Sequence, residues 1–157
     1  MTKMKVEVLD RRQFVVVGAS AAAIIAGFAG TANATPETAM ELVKKLTNGG
    51  SDNAMDGKVN VDLPEIAENG NTVPVKVSVE SPMTADDYVK AVHLVSEGNP
   101  APEIASFYFT PASGNAKAAS RMRLAKTQNV IGVAEMSGGK VYMSKTEVKV
   151  TIGGCGG

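Results

Sequence analysis

The sequence predicts an all-β protein: an immunoglobulin-like β-sandwich of about seven strands, with an N-terminal helix and a flexible C-terminal glycine arm. Three observations predict it. Valines alternate with polar residues in short runs, turn-forming clusters separate these runs, and the chain ends in glycines around its only cysteine. Alternation with a period of two is the pattern of a strand with one buried face. Short strands at regular spacing favour a sandwich over a barrel.

The first predicted element is a helix over residues 36–47. Thr35 is a good N-cap, Pro36 occupies the first helical position, and Glu37 places an acidic side chain in the first turn. Apolar residues then recur at near-helical spacing, and Asn48-Gly49-Gly50 is a typical stop signal.

Seven strands are predicted after this helix, over residues 59–62, 73–80, 88–95, 104–110, 120–127, 130–134 and 140–152. Pro74 either places its strand at a sheet edge or marks the start of the strand, because proline donates no ladder hydrogen bond. The connection 48–58 is the segment for which we expect most flexibility. The last strand continues directly into the glycine tail.

A targeting segment precedes the domain. Residues 1–10 are polar, Arg11-Arg12 follow, residues 14–31 are apolar and rich in alanine and glycine, and Ala32-Asn33-Ala34 has the pattern of a cleavage site. We interpret residues 1–34 as a twin-arginine-type signal peptide, which predicts a periplasmic protein. An ordinary secretory signal and an uncleaved N-terminal anchor are the alternatives.

Removal of this segment leaves 123 residues, which we divide into one β-sandwich domain (35–152) and one arm (153–157). The segment carries four of the sixteen basic and two of the sixteen acidic side chains, so the mature chain has a net charge of −2. This balance argues against nucleic acid as a partner, and against a membrane surface once the signal is removed.

The candidate functional residue is Cys155, flanked by Gly153, Gly154, Gly156 and Gly157, to which we assign the flexibility of the arm. A single cysteine in an oxidising compartment forms no intrachain disulfide, so it either pairs between molecules or serves as a free thiol. A catalytic cysteine needs a base and an oxyanion site held rigidly around it. A glycine arm offers neither, and we interpret the thiol as a reversible attachment point.

The remaining candidates have structural interpretations. His93 lies in a predicted strand, where a packing or a surface role is expected. With one histidine and one cysteine in the chain we predict no metal site. Arg121 and Arg123 share one face of a predicted strand; an exposed face is the favoured interpretation, and contact with an anion or an acidic partner is the alternative. No cofactor is predicted.

Together, the twin-arginine signal, the short mature domain and the terminal V-T-I-G-G-C-G-G resemble the SoxY family, the sulfur-carrying subunits of the SoxYZ complex in periplasmic thiosulfate oxidation. The resemblance implies an immunoglobulin-like sandwich, a tight heterodimer with SoxZ and no catalysis by this subunit. It also implies that Cys155 is the carrier residue, which would bear S-thiosulfonate and persulfide groups. In the family, haem-containing SoxAX joins thiosulfate to the cysteine, SoxB hydrolyses the terminal sulfone to sulfate, and other Sox enzymes process the sulfane sulfur.

Two other classes of protein compete with a carrier. A ubiquitin-like sulfur-transfer protein also ends in glycines, but its activation needs ATP, which the periplasm lacks. An exported structural module would use Cys155 for a permanent interchain disulfide, and that alternative predicts a reducible dimer without a sulfur adduct.

Overall fold

The computed structural model describes residues 33–154, so the predictions for the signal segment up to residue 32 and for Cys155, Gly156 and Gly157 lie outside the described residues. The described chain contains one α-helix, α1 (Pro36–Leu46), two short 3-10 helices (Gly50–Asn53 and Pro111–Ser113) and eight strands. The strands are β1 (Val59–Asp62), β2 (Ile66–Asn69), β3 (Val73–Val79), β4 (Val89–Ser96), β5 (Glu103–Tyr108), β6 (Ala116–Met122), β7 (Gln128–Met136) and β8 (Val141–Ile152).

The strands form two sheets, which confirms the predicted sandwich. One sheet has three strands in the order β1-β3-β6, and the other has five in the order β2-β8-β7-β4-β5. All pairs are antiparallel except β2 with β8, which run parallel. Helix α1 covers the face of the five-stranded sheet that the smaller sheet leaves free, because Val43 packs with Val95 and Ile131 in a second apolar cluster.

Both faces of the five-stranded sheet are therefore covered at its centre. In β4 only Lys90 is exposed, and in β7 no residue is exposed. Strands covered on both faces have continuous apolar runs. In strands with one face in solvent, apolar and polar residues alternate. Strand β3 shows that alternation, with Val75 and Val77 buried and Lys76 exposed between them.

The helix begins as predicted and ends one residue earlier. The Thr35 hydroxyl accepts a hydrogen bond of 3.3 Å from the Thr38 amide, and the Thr38 hydroxyl accepts one of 2.8 Å from the Thr35 amide. These two bonds satisfy amides that have no partner inside the helix. Pro36 occupies the first turn, and Leu46 is the last helical residue.

Two strand predictions need correction. The eighth strand, β2, was absent from the prediction because its Ile66-Ala67-Glu68-Asn69 sequence is too short to show alternation. Strand β6 spans Ala116–Met122, whereas the predicted strand covered residues 120–127. Its first half is rich in alanine, a poor strand former, and pairing with the valines of β3 determines its position.

The structure resolves the expectation for Pro74, and flexibility of the connection 48–58 stays a prediction. Strand β3 is the central strand of its sheet, so the edge alternative is wrong, and Pro74 is the second residue of the strand, so the strand-start alternative is confirmed. In the connection, the Met55 amide donates to the Val141 carbonyl over 3.0 Å, and the Met143 amide donates to the Met55 carbonyl over 2.9 Å. These bonds attach the expected flexible segment to β8.

Candidate functional site

The site is built at the C-terminal end of β8, the strand that leads to Cys155. Strand β8 pairs with β7 from Val141 to Val148. Its last residues pair instead with β2, in a register that aligns Asn69 with Ile152. The short strand β2, which sequence reasoning missed, therefore supports the part of β8 from which the glycine arm departs.

Three backbone hydrogen bonds join this strand end to two neighbouring turns. The Gly70 amide donates to the Ile152 carbonyl over 2.7 Å, and the Leu124 amide donates to the Gly70 carbonyl over 2.8 Å. The Gly154 amide then donates to the Leu124 carbonyl over 2.9 Å. We call this junction of Gly70, Leu124, Ala125, Gly153 and Gly154 the arm seat.

The arm seat requires glycine because the backbones approach too closely for a side chain. A Cβ atom at Gly153 would overlap the Ala125 carbonyl oxygen, and one at Gly154 would overlap the Gly70 carbonyl. The absence of a side chain lets backbone segments approach one another in this way. Flexibility of residues 153–157 stays a prediction, and the structure adds a packing role for Gly153 and Gly154. The Asn69-Gly70 dipeptide, which is a common turn signal, was the available sequence signal for Gly70.

A buried asparagine, which sequence reasoning also missed, holds the turn that forms the seat. The Asn99 Nδ2 atom donates to the Arg123 carbonyl over 2.8 Å. Its Oδ1 atom accepts from the Ala125 amide over 3.0 Å and from Gln128 Nε2 over 2.9 Å. The segment 123–125 is therefore fixed on both sides of Leu124. In the sequence, Asn99-Pro100 has the pattern of an ordinary turn, which concealed this role.

Beside the arm seat lies a cleft of about 480 Å³ between strands β5 and β6. These strands are the edges of different sheets and form no ladder with each other, so the sandwich is open along this side. Arg121 and Arg123 both line the cleft and are exposed, which places the two predicted guanidiniums together. Arg121 belongs to β6, and Arg123 follows the end of that strand.

The histidine has the packing role that the sequence predicted. His93 is buried in β4, its Nδ1 atom lies 2.8 Å from the Ser106 hydroxyl, and its ring meets the edge of Tyr108 at 6.2 Å between centroids. Burial lowers the pKa of His93 below its ordinary value, and the negative charges of Glu135 and Glu103 oppose this shift. Its partners lie on β5 and β7, so it has no contact with the arm seat.

Among residues 33–154, no group of three or more histidine, cysteine, aspartate or glutamate side chains is arranged to hold a metal ion. Within that range, no helix has the length and apolar character needed to cross a membrane.

Comparison with known families identifies the chain. The family model for "Sulfur oxidation protein SoxY" matches residues 43–155, from the last turn of α1 through the cysteine of the glycine tail. The chain belongs to the SoxY family. The resemblance inferred from the two ends of the sequence is therefore confirmed, and the match extends through the strands between them.

Solved structures agree with this assignment. The sulfur carrier protein SoxY from Chlorobium limicola f thiosulfatophilum is 29% identical, with a TM-score of 0.57 over 70% of this chain and 89% of that one. Superoxide reductase (neelaredoxin) from Ignicoccus hospitalis is 19% identical, with a TM-score of 0.54 over 74% of this chain and 94% of that one. The second likeness shows the fold alone. Comparison with curated proteins gave no match.

Proposed function

We propose that this SoxY-family protein is a non-catalytic carrier that holds sulfur intermediates of thiosulfate oxidation covalently on Cys155 and presents them to partner enzymes. The observation that supports this most is the family match, which runs through Cys155 in a chain that has no other cysteine. The similar structure from Chlorobium is itself described as a sulfur carrier protein.

The chemistry of loading needs only an accessible thiol on this chain. A sulfur–sulfur bond forms between Cys155 Sγ and the sulfane sulfur of thiosulfate, the thiol loses its proton, and two electrons leave to an acceptor. In the proposal that acceptor is the haem enzyme SoxAX. The product is an S-thiosulfonate, in which the carrier sulfur is linked through a second sulfur to a sulfonate group.

Unloading then proceeds on the carrier. Water attacks the sulfonate sulfur, and the bond to the sulfane sulfur breaks. Sulfate and two protons are released, and a persulfide anion remains on Cys155. We assign this hydrolysis to SoxB and later removal of the sulfane sulfur to other Sox enzymes. Each enzyme must reach the group carried on Cys155, which favours a terminal arm over a buried position.

The geometry of the strand end supports such presentation. Cys155 follows Gly154 directly, and Gly154 lies at the edge of the domain where β8 ends. His93 is the one histidine of the chain and is hydrogen-bonded to Ser106 inside the five-stranded sheet. The proposal therefore assigns acid–base chemistry to the partner enzymes.

We also propose a heterodimer with SoxZ and a periplasmic location. Exposed apolar side chains on the described surface support a partner, because Tyr108 is 75% exposed on edge strand β5 and Ile152 is 65% exposed at the end of β8. Sedimentation of the purified protein alone and with SoxZ checks the partner. A lone chain that remains a stable monomer in the presence of SoxZ would contradict it.

The carrier proposal is tested by intact mass. The mature protein is purified without reductant from cells oxidising thiosulfate and weighed before and after dithiothreitol, beside Cys155→Ser. We expect sulfur and thiosulfonate additions that disappear with reductant and are absent from the serine variant. A bare thiol, or a covalent dimer without any adduct, would contradict the carrier role, and the dimer would support the interchain disulfide instead.

A further inference from the structure

Strand β5 lies at one edge of the five-stranded sheet and pairs there with β4 alone. The register of this ladder shifts, because Leu94 pairs with Ala105 whereas the next residue along β4 pairs with Glu103. Ile104 is therefore an extra residue on β5, and an extra residue disrupts a ladder locally. An edge strand with such irregular pairing opens at a lower free-energy cost than the whole domain.

A chain of side-chain hydrogen bonds crosses from β4 to β5. His93 lies directly opposite Ser106 in the ladder, and its Nδ1 atom is 2.8 Å from the Ser106 hydroxyl. That hydroxyl donates to Oε1 of Glu103 over 3.2 Å. Because the hydroxyl has one proton and gives it to Glu103, Nδ1 of neutral His93 bears the ring proton and donates it to Ser106. Nε2 is then the atom that accepts a further proton when the pH falls.

His93 is buried between the edge strand and the centre of the sheet. It is 3% exposed, and the ring of Tyr108 on β5 meets its ring edge-on, at an interplanar angle of 83°. On the other side, Val133 of β7 is its partner in the ladder and belongs to the apolar cluster that includes Val43 of α1. Because β5 is at the edge, water reaches the ring at the lowest cost when β5 moves away.

The titratable groups that face the ring come from three strands. Glu103 on β5 and Glu135 on β7 place negative charge near it, and Nζ of Lys90 on β4 lies 3.9 Å from a Glu135 carboxylate oxygen. Tyr108 adds a phenol, and the residues that α1 contributes to the neighbouring cluster are apolar. Burial outweighs the two carboxylates, so the pKa of His93 is lowered below its ordinary value. A proton on this ring therefore creates a charge that hydration would stabilise.

We infer that His93, Ser106 and Glu103 form an acid-sensitive latch, which keeps edge strand β5 closed on β4 while His93 is neutral and lets β5 open locally when His93 gains a proton. Opening gives the imidazolium ring access to water. It also exposes Ile104 and Phe107, which pack against the main core when the strand is closed. The latch does not rest on the proposed carrier function, although the hydrolysis step of that function releases two protons and is a source of acid.

Amide hydrogen exchange tests the latch on the purified mature protein. Exchange is followed at about pH 7.5 and about pH 5.5 and corrected for the intrinsic rate, because histidine is the side chain that ordinarily titrates in this window. We expect protection of the β5 amides to fall by about tenfold, the value that proton linkage gives when the open strand has the ordinary histidine pKa of about 6.5. The amides of β2, at the opposite edge of the sheet, should keep their protection, since His93 is the only histidine of the chain.

Two results of this measurement would overturn the inference. One is a loss of protection in β5 that is no larger than the loss in β2. The other is equal protection of the β5 amides and the central β7 amides at both pH values, because β5 would then open only when the whole domain unfolds.

Substitutions assign the effect to the latch. His93→Gln removes the titrating group and keeps a side chain that can donate to Ser106, so exchange in β5 should lose its pH dependence. An unchanged dependence would contradict the latch.

Ser106→Ala interrupts the hydrogen-bond chain without replacing the histidine. We expect its β5 amides to be about fivefold less protected than those of the wild type at about pH 7.5, the effect of one ordinary hydrogen bond. Ser78→Ala, on β3 of the other sheet, is the matched control and should leave β5 protection unchanged. Equal β5 protection in the two serine variants would overturn the inference.

Discussion

The amide of Gly154 donates a hydrogen bond to the carbonyl oxygen of Leu124 across 2.9 Å, one residue before Cys155. This bond determines where the glycine arm begins. With the arm seat formed, Cys155 is the first residue beyond it, which gives a reach of roughly 3.5 Å. When the seat opens, the chain is free from Ile152 onward, and three residues give a reach of roughly 10 Å. We therefore expect the seat to limit how far the thiol extends.

Gly154→Ala should open the arm seat. Its Cβ atom would overlap the Gly70 carbonyl, so the hydrogen bond to Leu124 cannot form unless the backbone shifts. We expect the free energy of unfolding to fall by about 1 kcal/mol, the value of one backbone hydrogen bond. We also expect the Cys155 thiol to react several-fold faster with an aromatic disulfide reagent, measured by the absorbance of the released thiolate.

The matched control is Gly138→Ala. A Cβ atom at Gly138 meets no atom within 4 Å, so this substitution changes glycine to alanine without a steric conflict. Thiol reactivity should equal that of the wild type. A Gly154→Ala variant that reacts no faster than Gly138→Ala would show that the seat does not restrict the arm.

Gly132→Ala should destabilise the sandwich core. Gly132 lies in β7 where the two sheets meet, and its Cβ atom would overlap the Cγ2 methyl group of Val61. Overpacking of this kind costs about 1–3 kcal/mol in the free energy of unfolding. Urea denaturation measures the loss. Addition of Val61→Ala removes the clashing methyl groups, so the double variant should lose less than the sum of the two single losses.

Lys145→Met should destabilise the domain because it leaves a buried carboxylate without its cation. Glu97 is buried, and its two oxygens accept hydrogen bonds of 2.6 Å from Lys145 Nζ and 2.7 Å from Asn129 Nδ2. Loss of a hydrogen bond to a charged group costs about 1.5–3 kcal/mol. Lys44→Met is the control, since its ion pair with Asp52 is exposed on both sides and contributes at most about 1 kcal/mol. Equal losses in urea denaturation would contradict the argument.

His93 should make the free energy of unfolding depend on pH. Its folded-state pKa is lowered by burial, so the unfolded chain binds the proton more readily. The stabilisation is complete above the unfolded pKa of about 6.5 and is lost as the pH falls from there towards the folded pKa. Urea denaturation at closely spaced pH values between 5 and 8 measures this slope. In His93→Gln the slope over that window should decrease, and an unchanged slope would assign it to other groups.

Much of the fold was predictable because local patterns dominate there. The Thr35-Pro36-Glu37 start of α1 and the alternating valines of β3 were read correctly from a few adjacent residues. The failures, β2 and the start of β6, are strands whose positions depend on partners far away in the chain. Strand β2 pairs with β8 and β6 pairs with β3, and neither has a strong propensity of its own.

The candidate site was predictable in its chemistry and not in its geometry. Cys155 and its flanking glycines stand out in the sequence, and Arg121 and Arg123 were noted as a pair. The arm seat joins three segments that are distant in sequence, around Gly70, Leu124 and Gly154, through backbone atoms alone. Backbone contacts of this kind leave no side-chain pattern. Asn99 was hidden for a related reason, because a buried asparagine and a turn asparagine have the same sequence context.

The compartment prediction rests on the first residues and has a direct test. A twin-arginine signal requires both arginines, so Arg11→Lys/Arg12→Lys should abolish export although the charge of the segment is unchanged. Cell fractionation and immunoblotting should find the variant as unprocessed precursor in the cytoplasm and the wild type in the periplasm. Lys3→Arg/Lys5→Arg is the control for a charge-conserving change in the same segment, and its export should be normal. Normal export of the arginine variant would indicate an ordinary secretory signal.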